Sequence, residues 1–387
     1  LSSSQPVQPP DPPVALQRTD RFVGRAMNWM YHHLRRVPRY RPVVMTNALQ
    51  NRGQYPDVEA FATPWERLGS RVWHRLAGSR PYPPDVARAR GYHPVVMHSH
   101  FGYVGIDDLP LHRTLGLPWL VGFYGADVYL HGRDRSWLDR YGPLWERLDL
   151  ALALGPAMEA ALVEMGCPAD KIVVHPLGVD VEDVPHGERH LASGAPLEIL
   201  MAGTFREKKG AVYLLQAADL LRRRGVRFRL HLAGDVSQRQ GDAEARDEIL
   251  ATIARLDLGD QLQRYSWLEF RDLMALALRC HVFVAPSVVA KDGDAEGTPF
   301  VIQQMMLSGM PVISTRHSDI PYLYGPLADR LAPERDAAAL ADRLTRYVDE
   351  PEAIAADGAA MRARMLEAFD IRQCSAHLAS LYDRVVR

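Results

Sequence analysis

The chain has 387 residues, of which 47% are hydrophobic and 24% charged, and its formal net charge is −1. That composition is ordinary for a soluble globular protein of two or three domains, and it excludes a nucleic-acid binder that works through overall charge. Cys167, Cys280 and Cys374 have neither paired nor metal-type spacing. No apolar run reaches transmembrane length and no signal-peptide pattern opens the chain, so a reducing, cytoplasmic location is expected.

Charge is unevenly spread. Fourteen arginines face only five acids between Arg18 and Arg90, a segment that also carries Trp29, Tyr31, Trp65 and Trp73. This surplus suggests contact with an anionic acceptor or peripheral contact with an anionic membrane. Lysine is rare, confined to Lys171, Lys208, Lys209 and Lys291.

Residues 1–13 are rich in Ser, Gln and Pro and are expected to be a disordered arm. A short strand starts at Val14, and Arg18 to Arg25 is expected as a polar loop. A helix over Ala26 to Arg36 follows, then a strand over Pro42 to Thr46, a loop over Asn51 to Pro56 and a helix over Trp65 to Leu76. Strands over Val95 to His98, Trp119 to Phe123, Leu150 to Leu154 and Ile172 to His175 come next, with helices over Ser136 to Arg147 and Ala157 to Met165. The polar stretch Glu182 to Pro196 is the best linker. The rhythm then repeats. Strands are expected over Leu197 to Ala202, Phe228 to Gly234, near Gln263, and over Val282 to Ala285. Helices are expected over Gly210 to Arg224, Ala243 to Ala254, Glu269 to Cys280, Asp336 to Val348, Pro351 to Phe369 and Ile371 to Arg387. Alternating strands and helices argue for parallel sheets covered on both faces.

Between these elements lies residues 294–315, an acidic loop holding Glu296, Gly297 and Pro299, an apolar helix over Phe300 to Leu307, Gly309, and a β-branched run over Pro311 to Ser314. A proline suits the start of a helix, whose leading N–H groups form an anion site. Glu296 then sits beside the anion, placed to accept hydrogen bonds from hydroxyls. The combination suits a phosphorylated sugar. The preceding Asp292, Gly293 and Asp294 make the loop acidic and glycine-rich.

This stretch resembles the signature of the family 4 retaining glycosyltransferases of the GT-B fold. Glu296, Gly297, Pro299, Gly309, Pro311, Val312 and Thr315 match, and Gln304 stands where the family has a second Glu. Gly203-Thr-Phe-Arg-Glu-Lys-Lys-Gly210 resembles the family loop Gly-Arg-x-x-x-x-Lys-Gly. Here Lys209 and Gly210 match, Thr204 replaces the Arg, and Arg206 offers a substitute charge. His98-Ser-His100 stands where His-x-His strings occur in the family; without a carboxylate or Cys at ligand spacing it reads as cleft lining, not metal. In Gly122-Phe-Tyr-Gly-Ala-Asp127, Tyr124 replaces the family His, while Gly125 and Asp127 match. Lys171 to Asp180 resembles the family's hinge strand.

The resemblance implies an α/β GT-B fold, two Rossmann-like parallel-sheet domains facing a central cleft. It implies a first, acceptor-side domain over 14–185, a linker over 186–196, a nucleotide-sugar domain over 197–369 and a helix over 370–387 crossing back to the first domain. The implied donor is a UDP- or GDP-sugar with no further cofactor and no metal. The acceptor is a hydroxyl of a glycan, a lipid-linked sugar or a small molecule. Glu296, Lys209 and Arg206 are the implied catalytic residues. Gly203, Thr204, Gly297, Thr298, Pro299, Phe300, Val301 and Gln304 would hold the donor, and His100, Tyr124 and Asp127 would face the sugar or acceptor. Two alternatives stay open: a GT-B protein that binds nucleotide or glycan without transfer, and a sugar-nucleotide epimerase. Dinucleotide, P-loop, zinc-protease and hydrolase-elbow motifs are missing, so those classes lose support.

Overall fold

The computed structural model describes residues 11–23, 28–63, 72, 73, 76, 81–235 and 242–386. Ten residues of the expected N-terminal arm, and nearly all of the helix expected over Trp65 to Leu76, lie outside them.

The first domain is built on a seven-stranded sheet of order β3-β2-β1-β4-β5-β6-β7, and every pairing is parallel. Its strands are β1 (Val14–Phe22), β2 (Arg41–Leu49), β3 (Glu59–Ala62), β4 (Pro94–His100), β5 (Trp119–Gly122), β6 (Leu150–Ala153) and β7 (Ile172–Val174). The helices are α1 (Asn28–Leu34), α2 (Pro83–Gly91), α3 (Gly102–Leu115), α4 (Ala126–Tyr129), α5 (Arg135–Arg147) and α6 (Pro156–Glu164). The second domain holds a five-stranded parallel sheet of order β10-β9-β8-β11-β12. These strands are β8 (Leu197–Ala202), β9 (Phe228–Ala233), β10 (Leu262–Tyr265), β11 (Val282–Ala285) and β12 (Val312–Ser314). Around them run α7 (Ala211–Arg223), α8 (Asp242–Leu256), α9 (Phe270–Ala277), α10 (Phe300–Leu307), α11 (Ile320–Tyr324), α12 (Ala337–Asp349), α13 (Glu352–Ala368) and α14 (Ile371–Val385).

The central strands read as continuous apolar runs because helices cover both faces. Trp119, Leu120 and Val121 on β5, and Val282, Phe283 and Val284 on β11, are fully buried. The last helix, α14, packs Leu378, Ala379, Leu381 and Tyr382 against Ala15, Val96, Leu120 and Leu150 of the first domain. Among the described residues, no helix is long and apolar enough to cross a membrane.

Several local expectations are corrected. Arg18 to Phe22 is strand, not polar loop. Arg18 is tolerated there because its guanidinium meets buried Asp108 at 2.8 Å and the Met45 carbonyl at 2.7 Å. α2 and α3 were not expected, since Pro83 and Pro84 open the one and Pro110 lies inside the other. Trp29 and Tyr31, expected to face an anionic surface, are buried in the first-domain core. Much of the basic surplus is matched within the fold: Arg35 and Arg36 reach Asp180, Arg39 reaches Asp383 and Arg41 reaches Glu59.

Candidate active site

The second-domain wall of the cleft starts where β8 ends. Gly203 to Lys209 form a loop, and Gly210, at φ 70°, turns the chain into α7. A Cβ on Gly210 would lie 1.8 Å from the Pro286 carbonyl oxygen, so only glycine fits there. This turn aims two adjacent lysines at the loop before α10. Lys208 is buried and holds that loop by three contacts: Asp294 Oδ1 at 3.2 Å, the Ala295 carbonyl at 3.0 Å and Glu296 Oε1 at 3.3 Å. Lys209 is more open and meets Glu296 Oε2 at 3.1 Å. Its aliphatic stem lies over Gly203, where a Cβ would be 3.8 Å from Lys209 Cδ. Arg206, expected to offer a charge to the donor, pairs with buried Asp294 and, at 3.2 Å, with Asp242. Thr204 is half-buried in the same loop.

Glu296 is 8% exposed. Burial alone would raise its pKa, but Lys208 and Lys209 outweigh burial and hold the carboxyl well below its ordinary range. It is therefore an anion throughout the physiological range. Oε1 lies within ion-pair distance of Lys208 yet makes no hydrogen bond. The Glu296 backbone N–H donates to His317 Nε2 at 2.9 Å.

Gly297, Thr298 and Pro299 lead directly into α10. Pro299 is the N-cap and cannot cap the helix with its side chain, so beyond the Ile302 N–H, which reaches the Pro299 carbonyl at 3.0 Å, the start of α10 has no cap from its own N-cap residue. The Thr298 hydroxyl is buried and has no hydrogen-bond partner among the described residues. Phe300 packs against the cores of both domains. Val301 and Gln304 are half-buried, one turn apart on α10.

The first-domain wall is formed by the C-terminal ends of β4 and β5. Tyr124 donates its hydroxyl to His100 Nδ1 at 2.7 Å. His100 Nε2 then carries the proton and donates to Gln17 Oε1 at 3.0 Å. Gln17 donates to the Tyr382 hydroxyl at 3.1 Å, and Tyr382 lies 2.9 Å from His98 Nδ1. His98 and His100 stack with centroids 4.2 Å apart. Burial, with help from His33, pushes His100 down to about 3, and burial pushes His33 to about 4. His98 and His175 are lowered well below the usual value, again by burial. All four imidazoles line one cavity of about 20 Å³ behind Tyr124, room for about one water.

Asp127 has a different place from the other two first-domain candidates. It is fully buried, and its carboxylate accepts from the backbone N–H groups of Gly102 at 2.9 Å, Tyr124 at 3.0 Å and Gly125 at 2.8 Å. It ties the loops after β4 and β5 together and so positions Tyr124. At the neighbouring strand end, Phe101 is held at φ 78°, a costly conformation for a non-glycine residue.

The two walls touch. A Cβ on Gly297 would lie 2.9 Å from Leu154 Cδ1 and 3.1 Å from Met158 Cε, so glycine is what lets the Glu296 loop reach the first domain. The Ala295–Gly297 backbone also lies against the Tyr124–Gly125 loop: a Cβ on Gly297 would be 3.6 Å from the Tyr124 carbonyl oxygen, and one on Gly125 3.5 Å from that of Ala295. Lys208 and His317 belong to this constellation but were not singled out from sequence; Asp294, read there as part of an acidic, glycine-rich loop, joins it through Arg206 and Lys208. Lys208 had a signal in the Lys-Lys pair; His317 had none, because its role comes from its two partners. Among the described residues, His32, Asp180 and Asp183 bring possible metal-ligating atoms within 4.8 Å of one another. Arg35 and Arg36 already neutralise that Asp180.

Comparison with known proteins places this geometry. Residues 196–350 match the family model described as "Glycosyl transferases group 1". The chain is 34% identical over 258 residues to WcaL of Salmonella typhimurium, assigned to colanic acid biosynthesis as a glycosyltransferase; the match covers 65% of this chain and 61% of that protein. It is 30% identical over 289 residues to AmsK of Erwinia amylovora, an amylovoran biosynthesis glycosyltransferase, covering 74% of this chain and 69% of that protein. The crystal structure of Anabaena HepE in complex with UDP and glucose superposes with TM-score 0.77 at 15% identity, covering 96% of this chain and 99% of that one. The fold is GT-B, two parallel-sheet α/β domains about a cleft.

Proposed function

The chain belongs to the group 1 glycosyl transferases, and on that premise we propose that it is a retaining, family 4 type transferase. It moves a sugar from a nucleotide-diphosphate donor, a UDP- or GDP-sugar, to a hydroxyl acceptor in the cytoplasm. The observation that carries this reading is the Lys209–Glu296 pair at 3.1 Å, set beside the N-terminus of α10 and across from Tyr124. As the glycosidic bond breaks, negative charge grows on the leaving phosphate. Lys209 and the leading N–H groups of α10 stabilise that charge most in the transition state. Glu296 Oε1, charged and without a hydrogen bond, accepts one from a donor-sugar hydroxyl. Thr298 offers its unpartnered hydroxyl, and Gln304 meets the ribose. Arg206 acts through Asp294 by fixing the loop.

The departing phosphate oxygen takes the acceptor proton on the face it leaves, so the anomeric configuration is kept and no protein nucleophile is required. Lys209 and the helix terminus supply the positive charge in this scheme, and no step needs a metal. Tyr124 spends its own proton on His100 and so presents lone pairs to a neutral hydroxyl. The names of the two relatives favour an acceptor in polysaccharide assembly, a glycan or lipid-linked sugar. A second reading, nucleotide binding without transfer, draws on Arg206, whose charge is engaged by Asp294 and Asp242.

One experiment separates the readings. The protein is incubated with a panel of UDP- and GDP-sugars, and three things are recorded: the thermal shift, the release of nucleotide diphosphate, and the anomer of the freed sugar by proton NMR. A transferase is stabilised by one donor and leaks its sugar slowly to water with retention. Stabilisation with no release under any donor would establish the binder instead, and release with inversion would remove the retaining mechanism.

A further inference from the structure

The segment after β12 does something that Glu296 chemistry alone does not require. Thr315 to Asp319 leaves the second sheet, and three successive side chains reach three different targets. His317 is fully buried, with its Nδ1–H on Glu334 at 2.6 Å. That bond fixes Nε2 as the acceptor for the Glu296 backbone N–H at 2.9 Å. Ser318 sits at φ 44° and turns the chain toward the first domain, where its hydroxyl meets that of Tyr129 at 2.5 Å.

Asp319 completes the crossing. It is 1% exposed, and its two oxygens accept from the Ala157 N–H at 2.7 Å and the Met158 N–H at 3.1 Å. These are leading N–H groups of α6, a helix whose own N-cap, Gly155, offers no side chain. A first-domain helix is therefore capped by a second-domain carboxylate. A Cβ on Gly155 would lie 2.5 Å from Asp319 Oδ1, so the approach needs glycine. Met158 is shared: its N–H holds Asp319, while its methyl lies 3.1 Å from where a Gly297 Cβ would be.

We propose that Ser318 and Asp319 form the closure latch of the cleft, and that Asp319 is a positioning residue for Glu296. When the domains meet, Asp319 caps α6. Through His317, two residues away, the same short segment holds the Glu296 backbone. The Glu296 loop is thereby seated against Tyr124 and Gly125 when the domains are closed. In an open form the α6 N–H groups and the Asp319 carboxylate go to water, and Glu296 loses the facing wall. The kinetic part of this inference rests on the transferase reading; the conformational part does not.

The test uses the whole chain with Asp319→Ala, and with Gly155→Ala, which breaks the same contact from the first-domain side. Small-angle scattering should show a larger radius of gyration in both variants. Hydrogen exchange should quicken over residues 155–160. Turnover should fall about ten- to a hundred-fold, the scale of a small misplacement of reacting groups, while affinity for free UDP or GDP stays within about two-fold, because Asp319 and Gly155 touch none of the second-domain groups proposed to hold the nucleotide. Ser318→Ala, the mildest change, should shift all readouts in the same direction. If scattering and exchange are identical in wild type, Asp319→Ala and Gly155→Ala, the latch is wrong whether or not the protein transfers sugar. If they change while wild type turns over no donor, the latch stands and the transferase reading falls.

Discussion

The two walls of the cleft solve opposite electrostatic problems. The second-domain wall is ionic: Lys208, Lys209, Arg206, Glu296 and Asp294 lie within ion-pair reach of one another. The first-domain wall has titratable side chains too, but burial keeps its imidazoles uncharged: His33, His98 and His100 stay neutral, and a hydrogen-bond chain runs from His98 through Tyr382, Gln17 and His100 to Tyr124. An ionic wall suits a ligand that brings phosphate charge, because charged groups already in place need no rearrangement when that charge grows. A neutral wall suits a hydroxyl, which a stray charge would misorient. The difference teaches that the two walls are distinguished by protonation state as much as by residue type, which fits the roles proposed for them.

The largest effect expected from breaking the ionic wall is on turnover. Glu296→Gln removes the anion that both lysines face, and turnover should drop on the order of a hundred-fold or more with the fold intact, measured as donor hydrolysis at saturating donor. The lysines themselves should separate cleanly. Lys208 is buried with three acceptors, so Lys208→Ala leaves Asp294 and Glu296 short of a partner and should cost about 3–5 kcal/mol of stability in denaturant unfolding. Lys209 is more open and, among the described residues, pairs with Glu296 only, so Lys209→Ala should leave stability nearly unchanged. It should weaken UDP or GDP binding about ten- to a hundred-fold in calorimetry, the value of one charge-assisted bond. Equal stability loss in both variants would merge the roles that the geometry separates.

The same contrast decides what the sequence could reveal. The ionic wall comes from two short stretches, 203–210 and 294–304, and a local pattern of Gly, Pro, Lys and Glu is readable because spacing within one turn fixes who meets whom. Glu296 and Lys209 were legible for that reason. The neutral wall is assembled from Gln17, His98, His100, Tyr124 and Tyr382, which span the chain from end to end. No spacing links Gln17 to Tyr382; only the crossing of α14 brings them together. Arg206 shows the converse limit. Its position in a phosphate-type loop was plain, but not that Asp294 and Asp242 would claim its charge. In the fold, long apolar strands were read well, whereas β1 was cut short at Arg18 because a buried arginine is legible only once Asp108 is beside it.

Acid should tell the walls apart. The histidines have folded pKa values of about 4 for His33 and about 3 for His100, against about 6.5 unfolded. The unfolded chain therefore binds more protons between those limits, and the stability present above pH 6.5 is lost as pH falls, by up to ~1.4 kcal/mol per pH unit for each buried imidazole. Glu296 behaves the other way in position. Its folded pKa is held below the ordinary carboxylate range, so its contribution is complete above that range and persists until strongly acid solution. Urea unfolding at pH 7 and pH 5 should show a steep loss in wild type and a shallower one in His100→Asn. An unchanged slope would mean that His100 is not buried neutral in solution.

The smallest expected effect is at Gln304, and it tests how far the ionic character of the second-domain wall extends along α10. Gln304 lies one turn beyond the Glu296 loop, half-buried, with one acceptor oxygen and no charge. If it meets the donor ribose, a carboxylate in its place makes a stronger bond, because charge-assisted hydrogen bonds are roughly twice as strong as neutral ones. Gln304→Glu should keep the fold and hold or improve donor affinity by no more than about ten-fold. Gln304→Leu should weaken the donor but spare turnover at saturation, since a ribose contact is the same in the ground state and the transition state. Glu296→Gln is the reference for the opposite outcome, lost turnover at saturation, because Glu296 lies among the cations proposed to face the reacting sugar. Measured with one donor, the three variants should rank Glu296→Gln worst in turnover and Gln304→Leu worst of the two Gln304 changes in affinity. A greater loss of saturated turnover in Gln304→Leu than in Glu296→Gln would reverse the roles assigned along the loop and α10, and would move the reacting sugar one helical turn away from Glu296.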